Sequence, residues 1–212
     1  MDLTNPLVYG VPAFIAFILL EITYSRTHGD DDLYVWKDLL ASGAMGIGSA
    51  ILGPLIKVTV LIVVFNFTYE LFNPVVDELT GDRMNIMGYK SFGYEWYIFL
   101  LCQLADDFTY YWFHRANHEI RVLWAAHIVH HSSDNFNLGT AIRNGWFTLL
   151  YKPFFYMWMP AIGFPVEVVI FALAIESFWQ FQLHSKYVPK MGWIEKIFNT
   201  HTMHQVHHSQ NV

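Results

Sequence analysis

Four apolar stretches of bilayer-crossing length constrain this chain more than anything else in it. A transmembrane helix needs about 20 mostly apolar residues, and such runs cover Pro6 to Tyr24, Leu39 to Phe72, Tyr94 to Phe113 and Trp146 to Leu183. The second is interrupted by Gly53-Pro54 and Lys57, which fits one long tilted helix or a broken pair. The fourth holds Gly163-Phe164-Pro165 near its middle and reads as a helical hairpin, with a first arm weakened by Lys152 and Pro153. Composition points the same way. Of 212 residues, 54% are hydrophobic and 14% charged, the mean hydropathy is +0.30, and eight Trp and twelve Tyr suit rings at bilayer interfaces. The expected fold is all-α, an integral membrane helical bundle of about four spans with a cytosolic helical cap rich in histidine. A large soluble core is the alternative that the apolar runs disfavour.

The first stretch has no basic residue before it, since Met1 to Asn5 carries only Asp2, and it is too long for a signal-peptide core, so it reads as a retained anchor. The polar segment Ser25 to Asp32 that follows ends in three aspartates and reads as a solvated loop. From Tyr94 to Leu138 there is neither Gly nor Pro, so a helix can leave the membrane at His114 and continue, with bends, into Arg115 to Arg121. Whether the hairpin after Trp146 spans the bilayer or only dips into it, it returns the chain to the side it left and brings the histidines on its two flanks together. With no repeat and no linker, residues 1–212 read as a single membrane-embedded domain, with N-terminal spans in 1–92 and a histidine-rich catalytic region in 93–212. A net charge of −6 without a basic stripe excludes nucleic acid as a partner. The lone Cys102 has no internal disulfide partner.

The chemistry is carried by histidine. Ten of eleven lie between positions 114 and 208, in three boxes: His114-Arg-Ala-Asn-His118, His127-Ile-Val-His130-His131 and His204-Gln-Val-His207-His208. Spacings of three and four place them on one helical face. At this histidine content roughly 0.03 H-x-x-H-H triplets are expected by chance, and there are two. Neutral imidazoles ligate Fe, Zn, Cu and Ni, and eight exceed what one four-coordinate ion can use, which implies two ions. As mere interfacial caps, so many unpaired imidazoles near a bilayer would be costly. One Cys gives no iron–sulfur or zinc-finger site, and the H-E-x-x-H pairing of zinc hydrolases is absent, because His114 and His118 enclose Arg115, Ala116 and Asn117.

These H-x₃-H, H-x₂-H-H and H-x₂-H-H boxes resemble those of the fatty acid hydroxylase / sterol desaturase superfamily of membrane non-haem di-iron enzymes. Within it, the stretches Asp107 to Glu119, Trp124 to Ser133 and Asn137 to Arg143, with Phe181-Gln-Leu-His184 and Asn199-Thr200, are most similar to the alkylglycerol monooxygenase group. The resemblance covers about residues 95 to 210. It implies that His114, His118, His127, His130, His131, His204, His207 and His208 are metal ligands and that His184 is an additional histidine of the pattern. His201 has no firm counterpart, and Met203 stands where the group often has a further histidine. It also implies two Fe ions, O₂ and a membrane lipid (an alkylglycerol, a sterol or a fatty acyl chain) as substrates, and hydroxylation, desaturation or ether cleavage as the reaction. With no flavin or nicotinamide fingerprint in the sequence, electrons must come from an external donor, for which the resemblance suggests a reduced pterin such as tetrahydrobiopterin. Family members usually continue beyond the last box, so the chain is expected to be a piece of a longer protein.

Asp107 lies seven residues before His114 on the same helical face. It could accept an imidazole N–H and fix that ring's tautomer, or serve only helix-end solvation. Asp106, Glu119, Asp134 and Glu176 are weaker candidates; Glu176, inside an apolar run, should face a cavity or a partner. Arg115, Arg121, Arg143, Lys186, Lys190 and Lys196 outnumber the basic residues expected on the other side, which places the boxes on the cytoplasmic face of a bacterial inner membrane or of the endoplasmic reticulum. A membrane zinc hydrolase and a non-catalytic metal-binding or transport protein are the competing readings.

Overall fold

The interruption at Gly53-Pro54 leads into residues 54–58, which lie outside the described residues. In the computed structural model, which describes residues 6–53 and 59–209, α1 spans Pro6–Thr27, α2 runs Trp36–Leu52 and α3 Thr59–Phe72. Lys57 falls outside the described residues. A connector follows with a two-residue antiparallel ladder, β1 (Val75–Val76) against β2 (Arg83–Met84). The gap in Gly and Pro from Tyr94 onward gives α4, Trp96–Glu119, which carries His114 and His118 in its last two turns. It stops at Ile120, whose backbone is extended (φ −97°, ψ 114°) while its N–H still bonds the Ala116 carbonyl, and α5 (Arg121–His127) starts at once. This is the bend that a Gly- and Pro-free helix running past His114 allows. The short α6 (Leu138–Ala141) follows, and the hairpin region gives α7 (Thr148–Tyr156), α8 (Trp158–Ala161) and α9 (Val166–Gln182), with α10 (His201–His207) carrying the last box. The chain is all-α apart from the small ladder.

Of the expected membrane helical bundle, the all-α class is observed. Among the described residues, no helix is long and apolar enough to cross a membrane. Helices α2, α3 and α9 have 17, 14 and 17 residues, short of the about 20 that a span requires. At 24 residues α4 is long enough, but Gln103, Asp106, Asp107 and the polar turns from His114 onward dilute it. The first hairpin arm is split into α7 and α8, of 9 and 4 residues.

Contacts divide the chain into two compact, interleaved units. One comprises Met1–Ile47, Ile128–Gly145 and Ser177–Val212, the other Gly48–His127 and Trp146–Glu176. In the first, Ile18, Leu33, Tyr34, Leu138, Ala141 and Phe181 form the core. Its polar centre is Glu21, 5% exposed. The Glu21 carboxylate accepts from the Tyr34 hydroxyl at 2.5 Å, the Leu138 backbone N–H at 2.8 Å and the Ser185 hydroxyl at 2.6 Å. A carboxylate with three donors is satisfied in the core, where an unpaired one would cost several kcal/mol.

In the second unit, Phe65, Cys102, Tyr156, Met159 and Val169 are wholly buried, each large apolar side chain contributing about 1.5–3 kcal/mol. The hairpin turn sits at Gly163, with φ +100°, where an added Cβ would meet Ser91 Cα at 3.1 Å. Only glycine fits that turn without strain. Asn85 donates to the Ala161 carbonyl at 2.8 Å and Asn73 to that of Pro160 at 3.1 Å, which satisfies the orphan carbonyls at the end of α8. Glu176 does have a partner: the Lys152 ammonium lies 2.9 Å from its carboxylate, with Glu176 buried and Lys152 partly so.

Candidate metal centre

In the first unit, the end of the second box, the end of α9 and the helix α10 bring four imidazoles together. His130 opens a 3₁₀ turn (His130–Ser132), His184 follows α9 by two residues, and His204 lies on α10 with His208 one turn later as its C-cap. The Nε2 atoms of His184 and His130 are 3.3 Å apart, those of His204 and His184 3.1 Å, and those of His208 and His204 3.2 Å. One nitrogen from each of the four lies within 4.8 Å of every other. His130, His184 and His204 are buried and His208 nearly so.

The hydrogen bonds on the far sides of these rings decide what the cluster can hold. His184 Nδ1 lies 2.8 Å from the Gln180 carbonyl, and His130 Nδ1 lies 3.2 Å from the Arg143 carbonyl. A carbonyl only accepts, so each Nδ1 is the protonated nitrogen. When both rings are neutral, their Nε2 lone pairs face each other across 3.3 Å. Protonation does not resolve this. Burial pushes the His184 imidazole down to about 4, and burial followed by the neighbouring His130 and His184 holds His208 far below the ordinary range. A metal cation between the lone pairs does resolve it. The separations also match the roughly 3.0–3.4 Å edges of a four- to six-coordinate shell with metal–nitrogen bonds of about 2.1 Å. Backbone carbonyls that bind the outer N–H groups are the usual means of orienting ligating imidazoles.

The supporting shell explains the motif Asn137 to Arg143. Asn137 caps α6 by accepting from Thr140 N at 3.0 Å, and it donates to the Leu33 carbonyl at 2.7 Å. The Arg143 guanidinium pairs with Asp38 at 2.8 Å in a largely buried bridge, and the same Asp38 accepts from Ser133 at 2.7 Å, just after the second box. Arg143 is thereby fixed with its carbonyl on His130. Phe136 stacks on His184 at 5.5 Å between centroids, with His208 at 5.6 Å and His204 at 6.0 Å. Sequence reasoning missed Phe136 as a wall of the site; its one signal is an aromatic side chain in the short polar turn between the second box and Asn137. His131 packs on His208 at 4.3 Å and His207 at 4.8 Å.

In the second unit, His114, His118 and His127 form a trio with ring centroids 4.8–4.9 Å apart. Helical spacing of four sets the first two one above the other, and the bend at Ile120 turns His127 back onto them. The Tyr110 hydroxyl lies 3.4 Å from His114 Nδ1, and burial lowers the His118 imidazole below its ordinary value. Asp107 is on the exposed side of α4, yet partial burial and then the Glu176 carboxylate raise its carboxyl above the ordinary value, and its neighbour Asp106 is 1% exposed and bonded by Gln103 at 3.1 Å. Glu119 pairs with Arg115 on the surface, and Asp134 is exposed. His201 is buried, and Met203 is exposed.

A family model described as fatty acid hydroxylase matches residues 99–212. That is more than half of the chain and contains every boxed histidine. The chain belongs to the fatty acid hydroxylase family. Alkylglycerol monooxygenase of Homo sapiens is 32% identical over 205 residues, covering 95% of this chain and 42% of the relative. The protein of the same name from Danio rerio is 32% identical over 202 residues, with the same coverage. That of Xenopus tropicalis is 39% identical over 108 residues, covering 51% of this chain and 24% of the relative. The chain thus spans less than half the length of these relatives. No solved structure matches it.

Proposed function

We propose that this chain is the histidine-box region of a non-haem di-iron monooxygenase that oxidises a membrane lipid, with an alkylglycerol as the first substrate to test. The reading rests on one observation above all, the buried His130–His184–His204–His208 cluster whose lone pairs converge and whose outer N–H groups are bound. Family membership and relatives named alkylglycerol monooxygenase support iron and a lipid ether. His130, His184, His204 and His208 would hold one ion, and His114, His118, His127, His131 and His207 would supply the remaining ligands. The bound irons would supply the reductive activation of O₂ needed to oxidise an unactivated C–H bond.

The chain's own residues supply the rest. The Gln180 and Arg143 carbonyls hold two imidazoles with Nε2 presented inward, and the Arg143–Asp38 bridge keeps that carbonyl in place. Phe136 covers the cluster and excludes water on that side. The Tyr110 hydroxyl is placed to hold or pass a proton at His114 Nδ1. Electrons would come from an external donor, a reduced pterin such as tetrahydrobiopterin.

Membrane attachment belongs to the same proposal. Along α4, Tyr97, Leu100, Leu101, Leu104, Phe108, Tyr111 and Trp112 are all about half exposed or more, an apolar row at helical spacing, broken by the exposed Asp107, that supports a membrane or partner surface. The basic residues after His114 support a cytoplasmic placement of the boxes. The test is to load the protein anaerobically with Fe(II), supply tetrahydrobiopterin, O₂ and an alkylglycerol in detergent micelles, and follow aldehyde release. Turnover that needs iron and is lost in His184→Ala supports the reading, and iron-independent turnover overturns it.

A further inference from the structure

His184 stands two residues beyond the end of α9, where the helix has already loosened. The N–H groups of His184 and Ser185 bond the Phe181 and Gln182 carbonyls three positions back, at 3.2 Å each, in place of the regular four. A helix end of this kind frays unless the chain beyond it is held, yet the His184 ring is 2% exposed and faces three other imidazoles. The next three residues are each tied to a carboxylate from the N-terminal part of the first unit. Ser185 donates to Glu21 Oε1 at 2.6 Å, the Lys186 ammonium lies 2.6 Å from Asp30 Oδ2, and the Tyr187 hydroxyl donates to that same oxygen at 3.0 Å. The Asp30 pair, with side chains 35% and 30% exposed, contributes little. Glu21 is buried, and a hydrogen bond to a carboxylate is roughly twice as strong as a neutral one. Its Oε2 is fixed in turn by the Tyr34 hydroxyl and the Leu138 N–H, so Ser185 is tied to an anchored point.

We infer that Glu21 is a positioning residue of the metal centre, which acts through the Ser185 hydroxyl to keep the His184 imidazole in register with that of His130. Two of its donors lead to the cluster from different stretches of the chain. Ser185 follows His184 directly, and Leu138 opens α6, after which the Arg143 carbonyl bonds His130 Nδ1. One carboxylate thus joins the segment that carries His184 to the segment that orients His130. The Nε2 atoms of these two rings are 3.3 Å apart, one edge of the shell that an ion would occupy. Outer partners of this kind orient ligating imidazoles and set metal affinity. Glu21 lies outside residues 99–212, which the family model matches, so family membership assigns it no part in the site. The role rests on the reading of the four imidazoles as a metal centre; it depends neither on which metal is bound nor on lipid oxidation.

The test is Co(II) titration of the full chain in detergent micelles, read by the visible absorption of the bound ion beside the unfolding midpoint of the metal-free protein. Ser185→Ala removes the tie but leaves Glu21 its other two donors. It should weaken Co(II) binding about tenfold or more and alter the Co(II) spectrum, and Ser185→Thr, which keeps the hydroxyl, should restore both. Tyr34→Phe takes a donor from the same carboxylate without touching the turn that carries His184; it should lower the midpoint and leave affinity and spectrum unchanged. Glu21→Gln offers Ser185 a neutral partner and should weaken binding in the same direction, while the double variant Glu21→Gln with Ser185→Ala should bind no worse than Ser185→Ala alone. Parental affinity and spectrum in Ser185→Ala overturn the inference and leave the metal centre standing. So does a Tyr34→Phe variant that disturbs the metal as much as Ser185→Ala, since the effect would then follow stability alone. A chain that binds neither Co(II) nor Fe(II) overturns the metal centre and the inference with it. Ser185-dependent Co(II) binding by a chain whose Fe(II) form oxidises no lipid supports the inference while overturning the oxygenase reading.

Discussion

Replacing Lys152 by Met removes one half of an ion pair that the second unit has buried. The Lys152 ammonium is 2.9 Å from Glu176, with side-chain exposures of 16% and 6%. It also lies 5.3–5.7 Å over the rings of Tyr110, Phe113 and Tyr156. At an effective dielectric of about 20 the attraction at this distance is about 6 kcal/mol. Much of that offsets the desolvation of two charges, so the pair contributes little relative to an apolar pair of the same shape, whereas breaking it leaves an uncompensated carboxylate in the core. Lys152→Met should therefore cost about 3–5 kcal/mol, and the double change Lys152→Met with Glu176→Leu should come within about 1 kcal/mol of the parent or exceed it. The assay is denaturant unfolding in detergent followed by Trp fluorescence and far-ultraviolet circular dichroism. A cost under about 1 kcal/mol for Lys152→Met, or additive costs in the double variant, would refute the buried-pair argument.

Further outcomes follow from the same contacts. Gly163→Ala forces a Cβ into a φ of +100° and against Ser91 and should destabilise by about 1–3 kcal/mol, measured by the same unfolding assay. His130→Ala should lower metal content and affinity by at least about tenfold, while His28→Ala, at an exposed turn where the ring stacks on Tyr24, should leave both unchanged; elemental analysis of the purified variants decides. Chelation should lower the unfolding midpoint and Fe(II) should restore it, and because ligating imidazoles must be neutral and burial holds His184 down to about 4, metal occupancy should persist below the ordinary imidazole value of about 6.5 and fall only as the pH approaches that lowered value. Midpoints that ignore the chelator would count against a structural role for the ion.

The histidine boxes were legible in the sequence because ligand spacing on short helices is a local property. His114 and His118, or His204 and His208, meet wherever their helix forms. The bend after His118 and the turn at Gly163 were legible for the same reason, since Gly, Pro and polar interruptions act on their own neighbours. Membrane-length runs were a poorer guide. Counting apolar residues does not reveal that Gln103, Asp106 and Asp107 interrupt α4 or that α7 and α8 divide at Met157. Between the two adjacent aspartates only burial chooses, and the structure buries Asp106 rather than Asp107. Phe136 and the Asp38–Arg143 bridge involve partners between 48 and 105 positions apart, and a single sequence carries no signal for such pairings.

The central claim is that the boxed histidines hold iron, and metal stoichiometry with Mössbauer spectroscopy after anaerobic Fe(II) loading tests it most directly. The account predicts about two irons per chain, in nitrogen-rich environments and with occupancy falling in His130→Ala, His184→Ala and His204→Ala. Iron below about 0.2 per chain, or binding that survives all three substitutions, would contradict it.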